Sequence, residues 1–104
     1  MLQTIIIRLD SEKLENPDLD IITLLPVRAE QYTNNAVSDN GYDYLSDDVI
    51  AVWLETEDAR INAEKIIELM KNERFADNDL SQSAEVFISE EDCAEIDNCE
   101  RIYP

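Results

Sequence analysis

Residues 38 to 48, with the sequence SDNGYDYLSDD, contain the oxygen-bearing side chains that could bind calcium. A calcium loop of the EF-hand type has oxygen ligands at its first, third and fifth positions, glycine at the sixth and an acid at the twelfth. If Gly41 is the sixth position, Asp47 is the twelfth, but the first is Ala36, which has no side-chain oxygen. We therefore expect no stoichiometric calcium site here, and the sequence points to no other metal or cofactor.

The same stretch carries the signals of a β-hairpin. Asn40 and Gly41 are the preferred pair for a two-residue type I′ turn, because both central residues of that turn need positive φ. Ser46, Asp47 and Asp48 form a second turn signal directly before an apolar run. We predict that backbone geometry explains the glycine, with the hairpin turn at residues 40 and 41.

Catalytic constellations are missing from the sequence. There is no histidine, which excludes catalytic triads and most zinc sites, and the single glycine excludes a glycine-rich phosphate loop. Cys93 and Cys99 have no basic neighbour that would activate a thiol, so we expect two reduced, part-buried small residues. The 25 acids can be paired in many ways, so no carboxylate pair stands out. We predict that the chain is not an enzyme.

The charge is strongly negative and unevenly distributed. The formal net charge is −17, which disfavours direct binding to nucleic acid or to an anionic membrane and favours basic proteins. Residues 36 to 58 carry seven acids and no base, residues 59 to 75 have a net charge of +1, and residues 76 to 104 have a net charge of −8. Two explanations stay open, which are simple solubility and a surface that binds a basic partner.

Two segments hold the candidate partner-binding residues. Tyrosine among carboxylates is a composition suited to a polar protein interface. In the first segment the candidates are Asp39, Tyr42, Asp43, Tyr44, Asp47 and Asp48, and in the second they are Glu90, Glu91 and Asp92. The alternative is a solvated hairpin whose two tyrosines cover the sheet.

The length and the hydrophobic periodicity predict a single domain over residues 1 to 104, with residues 89 to 104 as an acidic C-terminal segment. Ile5 and Ile7 should face one side of a first strand and Ile6 the other, which is typical of a strand covered on both sides. Trp53 and Phe87 fall in strand patterns and are expected in the core. The predicted strands are residues 4 to 9, residues 49 to 54 as the strongest, and residues 84 to 89, with further β structure from residue 36.

Two helices are expected. Pro26 suits the first turn of a helix that ends near Tyr32, whereas residues 20 to 25 fit either a strand or a short helix. The second helix runs from Ala59 to Phe75 with Thr56 or Asp58 as its cap. Its apolar stripe consists of Ala59, Ala63, Ile66, Ile67 and Met70. Residues 77 to 83 are predicted to be a loop, and the C-terminal segment is predicted to pack back as an irregular chain.

This order of elements predicts an α+β fold, namely a ferredoxin-like sandwich with an antiparallel sheet and two helices on one face. Residues 20 to 25 could add a strand to that sheet. The start, MLQTIIIRLD, lacks a basic leader region, and no apolar run is long enough to cross a membrane, so we expect a cytoplasmic protein.

The chain resembles a known class of proteins in two acidic segments, YDYLSDD (42 to 48) and SEEDCAEIDNCE (89 to 100). A small acidic domain with such segments and without catalytic residues resembles the immunity proteins of bacterial toxin–immunity systems. The resemblance implies a protein that neutralises a cognate toxin, often a basic nuclease, by placing carboxylates where the toxin would hold phosphate. Two rivals are a nucleic-acid mimic that blocks another basic protein, and a stand-alone ligand-binding or regulatory domain. The sequence sets no oligomeric state.

Overall fold

The computed structural model describes residues 1 to 104 and contains five strands and three α-helices. In chain order they are β1 (Gln3–Asp10), α1 (Ile21–Tyr32), β2 (Val37–Tyr44), β3 (Val49–Thr56), α2 (Ala59–Asn72), α3 (Leu80–Ser83), β4 (Ala84–Ser89) and β5 (Glu100–Tyr103). Single 3₁₀ turns lie at Ser11–Lys13 and Ile96–Asn98. None of the helices combines the length and the apolar composition that a bilayer crossing requires.

All five strands join in one antiparallel sheet with the order β2-β3-β1-β4-β5. Strand β1 is central, and its Ile5, Ile6 and Ile7 have no exposed surface. The predicted first strand, covered on both faces, is therefore confirmed. The α+β class with an antiparallel sheet is confirmed as well, but β5 gives the sheet a fifth strand and an order that differs from the predicted four-stranded sandwich.

The main core lies between one face of the sheet and the helices. Side chains that alternate along β1, β3 and β4 contribute Ile5, Ile7, Val52, Leu54, Val86 and Ile88. The helices contribute Ile21, Leu25, Ala29, Ala59, Ala63, Ile66, Leu69, Met70 and Leu80. Ile6 points to the opposite face, where it pairs across the strands with Trp53 and Phe87. Those two aromatic side chains are part-buried, and together with Ile6 they form a second, thinner apolar layer.

Helix α2 begins where the sequence predicts and ends three residues earlier. The carboxylate of Asp58 accepts a hydrogen bond of 3.1 Å from the Ile61 N–H, which caps the first turn. Of the predicted stripe only Ile67 is not fully buried. The chain becomes extended at Glu73, and Phe75 then pairs with Asn78 in a tight turn that buries the Phe75 ring.

Of the ambiguous residues 20 to 25, those from Ile21 on are helical, and Pro26 is not in the first turn as predicted. Helix α1 already begins at Ile21, where the Thr23 and Leu24 N–H groups donate to the Asp20 carbonyl. Pro26 lies in the second turn and cannot donate to the carbonyl four residues earlier. Pro26 is nevertheless buried, so apolar contact helps to retain it there.

The predicted turn at Asn40 and Gly41 is wrong. Both residues lie inside β2, where the register against β3 shifts between Asp39 and Tyr42 and one extra residue is accommodated. Gly41 adopts φ +92°, and its N–H donates to the Asp39 carboxylate at 3.0 Å. This arrangement is a β-bulge, which uses a glycine with positive φ just as a turn does. The hairpin turn instead lies at the second signal, where the Leu45 N–H donates to the Val49 carbonyl at 2.8 Å.

Two further expectations need correction. The predicted loop at residues 77 to 83 contains the single-turn helix α3, capped by the Asp79 side chain. The C-terminal segment is irregular only up to residue 99, because β5 then pairs with β4. Tyr103 donates its hydroxyl to the Ser81 carbonyl, which fixes the end of the chain against α3.

Candidate functional site

The arginines of the chain are all used internally. Arg8 and Arg101 pair with Glu85, and the other pairs are Arg28 with Glu73, Arg60 with Glu100 and Arg74 with Glu15. Every one of these acids is a glutamate, so no aspartate of the chain takes part in an ion pair. None of the predicted partner-binding carboxylates is neutralised within the chain. Their negative charge is therefore available to a basic partner.

Tyr42 and Tyr44 lie on the helix side of β2, opposite Val52 and Ile50 of β3. They are 53% and 50% exposed, because β2 is an edge strand of which only Val37 is buried. Their rings meet edge to face, with centroids 6.4 Å apart. The alternative, in which the two rings cover the sheet, therefore holds only in part. About half of the surface of each tyrosine remains open to a partner.

Carboxylates also occupy backbone donors of β2. The Asp39 N–H donates to Glu30 on α1, the Gly41 N–H to Asp39, and the Tyr44 N–H to Asp43. An edge strand with free N–H groups is a template for pairing with another chain, and charged side chains are a common protection. Asp39 and Asp43 therefore have a structural use besides any contact with a partner.

Asp47 and Asp48 lie in the turn between β2 and β3 and are exposed. The Asp48 carbonyl accepts a hydrogen bond of 2.8 Å from the Ser11 N–H, which ties the turn to the end of β1. The carboxylates of both aspartates have no hydrogen-bond partner in the chain. The turn thus holds two free charges next to the exposed Leu45.

The C-terminal segment crosses the sheet face that carries no helix. The Thr4 hydroxyl donates to the Glu91 carbonyl at 2.7 Å and accepts from the Ala94 N–H at 3.1 Å. The Trp53 indole donates to the Ala94 carbonyl at 2.9 Å, and Ala94 is buried. These bonds fix the backbone of the segment and leave the side chains of Glu90, Glu91 and Asp92 exposed.

The structure does not unite the two sets of candidate residues. Val49, after the turn, pairs with Asp10 at one end of β1, whereas Ser89, before Glu90, pairs with Thr4 at the other. Six residue steps along the strand separate these ends by about 20 Å. The first set also extends toward the Thr4 end, because Asp39 pairs with Leu54, which pairs with Ile5. The Asn40 amide beside Asp39 donates to the Cys93 sulfur at 3.6 Å. Asp47 and Asp48 in the turn thus lie at the end of the sheet opposite to residues 90 to 92.

A polar cleft of about 640 Å³ lies at the Glu90 end. Its carboxylates are Glu57, Asp58, Glu90, Glu91 and Glu100. Arg60 is the only base in the lining and pairs with Glu100 at 2.7 Å. Sequence reasoning missed Glu57, Asp58 and Glu100 as members of one site, although the first two belong to the base-free run from 36 to 58.

A small apolar pocket of about 40 Å³ lies at the opposite end, beside the hairpin turn. Its apolar walls are Leu9, Leu14, Leu19, Ile21, Ile22 and Ile50, and its polar lining includes Asp18 and Asp48. Sequence reasoning missed this pocket because residues 11 to 18 are rich in turn formers. The signal that was present is the pair of leucines, Leu14 and Leu19, in an otherwise polar stretch.

Both cysteines lie in the acidic C-terminal segment, where the Cys93 thiol donates to the Asp92 carboxylate at 3.5 Å. Both thiols are free. Cys93 is exposed, and not part-buried as predicted. It lies in the C-terminal segment that crosses the sheet and has φ +51°. Burial, together with the charge of Glu91, raises the pKa of the Cys99 thiol. No group of three or more acidic, histidine or cysteine side chains is arranged to hold a metal ion.

No protein-family model, no curated protein and no solved structure matches this chain.

Proposed function

We propose that this chain is a non-catalytic acidic domain that binds a protein, and that it acts in the cytoplasm as an immunity protein. It neutralises a basic toxin, for example a nuclease, by covering the toxin's active site. The observation that carries this proposal is the β2–β3 hairpin, where the half-exposed Tyr42 and Tyr44 lie among carboxylates that no base of the chain neutralises. Exposed aromatic anchors surrounded by charge are a combination that protein interfaces use.

The two kinds of side chain should act on different rates. The aspartates act over a distance, so they should raise the association rate, and salt should reduce their effect. A tyrosine that loses its water at the interface acts only in the complex, so its loss should appear in the dissociation rate.

The test begins with a pull-down from the native host to obtain the basic partner, followed by binding kinetics at low and high salt. Tyr42→Ala or Tyr44→Ala should weaken binding by about 2 kcal/mol, mainly through faster dissociation. Asp43→Asn and Asp47→Asn should slow association at low salt only. Glu64→Gln on the polar side of α2 makes the same charge change away from the hairpin and is the matched control. Folded hairpin variants that bind like the parent at both salt concentrations would show that the hairpin is not the interface.

A second candidate function is a stand-alone ligand-binding or regulatory domain, and the cleft at the Glu90 end favours it. Its volume of about 640 Å³ lies in the range of small-molecule sites. Its lining is less favourable, since only Ala59 and Ile88 are apolar and ligand pockets are mostly apolar. Native mass spectrometry of the protein from its host distinguishes the two functions, because a bound small molecule supports the second.

We also propose that the fold is a ferredoxin-like sandwich with additions. The alternation β-α-β-β-α-β of the first four strands with α1 and α2 supports this relationship. The short helix α3 and strand β5 depart from it. An experimental structure in which β1 is not a central strand would contradict the assignment.

A further inference from the structure

The apolar pocket beside the hairpin turn has features of a docking site for a side chain. Its walls come from β1, from the chain before α1, from α1 and from β3, so the fold itself builds it. Its volume of about 40 Å³ exceeds the 10–15 Å³ that one water needs, and it leaves room for a few methylene groups but not for an aromatic ring.

Two acids contribute to the lining of the pocket. Asp18 and Asp48 both line it, and neither takes part in an ion pair. The Asp18 carboxylate accepts only the Asp20 N–H, and the Asp48 carboxylate has no hydrogen bond in the chain. Lys13, the nearest base along the sequence, lines a different cavity together with Glu15 and Arg74. The charge of these two aspartates is therefore not paired within the chain.

The pocket adjoins the exposed tyrosines. Ile50 in its wall lies directly opposite Tyr44, so the two side chains share the helix side of the sheet. Tyr44 in turn contacts Tyr42 edge to face. The tyrosine pair thus lies on the same side of the sheet as Ile50 in the pocket wall.

We propose that this pocket receives an arginine or lysine side chain of the basic partner, with the methylene stem against the apolar walls and the cationic head between Asp18 and Asp48. A long side chain with an apolar stem and a charged tip matches both parts of the site. A neutral aliphatic side chain would leave the two carboxylates unpaired beside it. This inference rests on the proposed binding function and specifies the chemistry that the partner must present.

The pocket can be tested without the partner. Methyl resonances of Ile22 and Ile50 are followed by NMR while n-butylguanidinium, methylguanidinium or n-butanol is added to the whole chain. Saturable shifts at these methyl groups are expected with n-butylguanidinium, at a dissociation constant about tenfold or more below that of methylguanidinium, because the extra methylenes leave water. n-Butanol, which lacks the charge, should bind about threefold or more weakly than n-butylguanidinium.

Matched variants separate the pocket from the general charge of the protein. Asp18→Asn with Asp48→Asn should weaken n-butylguanidinium binding about threefold or more, whereas Glu90→Gln with Glu91→Gln, the same charge change at the far end, should leave it unchanged. Equal loss in both double variants would mean unspecific attraction and would overturn the proposal. So would n-butanol binding as tightly as n-butylguanidinium, or an absence of shifts at Ile22 and Ile50. None of these results would affect the proposed function, which the binding kinetics of the hairpin variants test separately.

Discussion

At the scale of single residues, the least exposed member of the five ion pairs is the Glu85 carboxylate on the sheet face that carries no helix. Its side chain is 15% exposed and accepts hydrogen bonds from Arg8 at 2.5 Å and from Arg101 at 2.9 Å. Burial alone would raise the pKa of Glu85, but the two hydrogen bonds, from Arg101 and then Arg8, outweigh it and hold the pKa below its usual value. The ionised carboxylate is thus part of the folded structure.

This lowered pKa makes part of the stability dependent on pH. In Glu85→Gln the contribution of the carboxylate is absent, and we expect the free energy of unfolding at pH 7 to fall by about 1–2 kcal/mol, since both arginines remain partly exposed. The contribution is fully present above the unfolded pKa of about 4.5 and is lost as pH falls through the lower folded pKa. Urea unfolding at pH 7, 5 and 3.5 should show the difference between parent and variant shrinking at the lowest pH. A difference that is constant with pH, or equal to that of the exposed control Glu64→Gln, would contradict this.

Gly41 shows why residue types alone misplace a feature. A type I′ turn needs positive φ at two successive residues, but only Gly41 has it here, and Asn40 does not. The pair is equally suited to the bulge that the structure contains. Whether a glycine ends a strand or bends one depends on the pairing of the partner strand, which the sequence of the hairpin does not specify.

At the scale of elements, the strongly periodic parts of the chain were predictable. β1, β3, α2 and β4 follow from apolar runs and from the Asp58 cap. Strand β5 did not follow, because its four residues ERIY include two charges and form a strand only where β4 offers a free edge. Helix α1 was ambiguous because a short apolar run fits a strand or a helix, and Pro26 suggested a later start.

The packing of α2 gives a sharp prediction, because this helix carries two isoleucines in opposite environments. Ile66 has no exposed surface, whereas Ile61 is 55% exposed. Ile66→Ala should lower the free energy of unfolding by about 2–5 kcal/mol through the lost contacts and the cavity left behind. The same change at Ile61 removes the same atoms from a position in water, so it should cost less than about 1 kcal/mol. Chemical denaturation of both variants checks this, and equal losses would remove Ile66 from the core.

At the scale of the whole molecule, the sequence predicted how much charge each segment carries but not where the segments lie. The register of β1 with β3 and β4 places the hairpin turn and residues 90 to 92 at opposite ends of the sheet. Register depends on how the strands pair. The distance between the hairpin turn and residues 90 to 92, and the pocket beside that turn, are therefore seen only in the folded structure.

The net charge of −17 should make the whole fold sensitive to salt. The molecule measures 36 by 28 by 22 Å, so at about 10 mM salt, where the Debye length is about 30 Å, the excess negative charges repel one another across nearly the whole molecule. At about 1 M the Debye length is about 3 Å, and this repulsion is screened more than the five short ion pairs are. We expect the Tm to rise by about 5 °C or more between these sodium chloride concentrations, an effect of roughly 1 kcal/mol.

Thermal unfolding followed by circular dichroism measures this rise in Tm. Tetramethylammonium chloride, whose bulky cation coordinates carboxylates poorly, should give a similar rise if screening is the cause. A falling Tm would show that the arginine–glutamate pairs outweigh the repulsion, and a rise with sodium alone would point to bound cations instead.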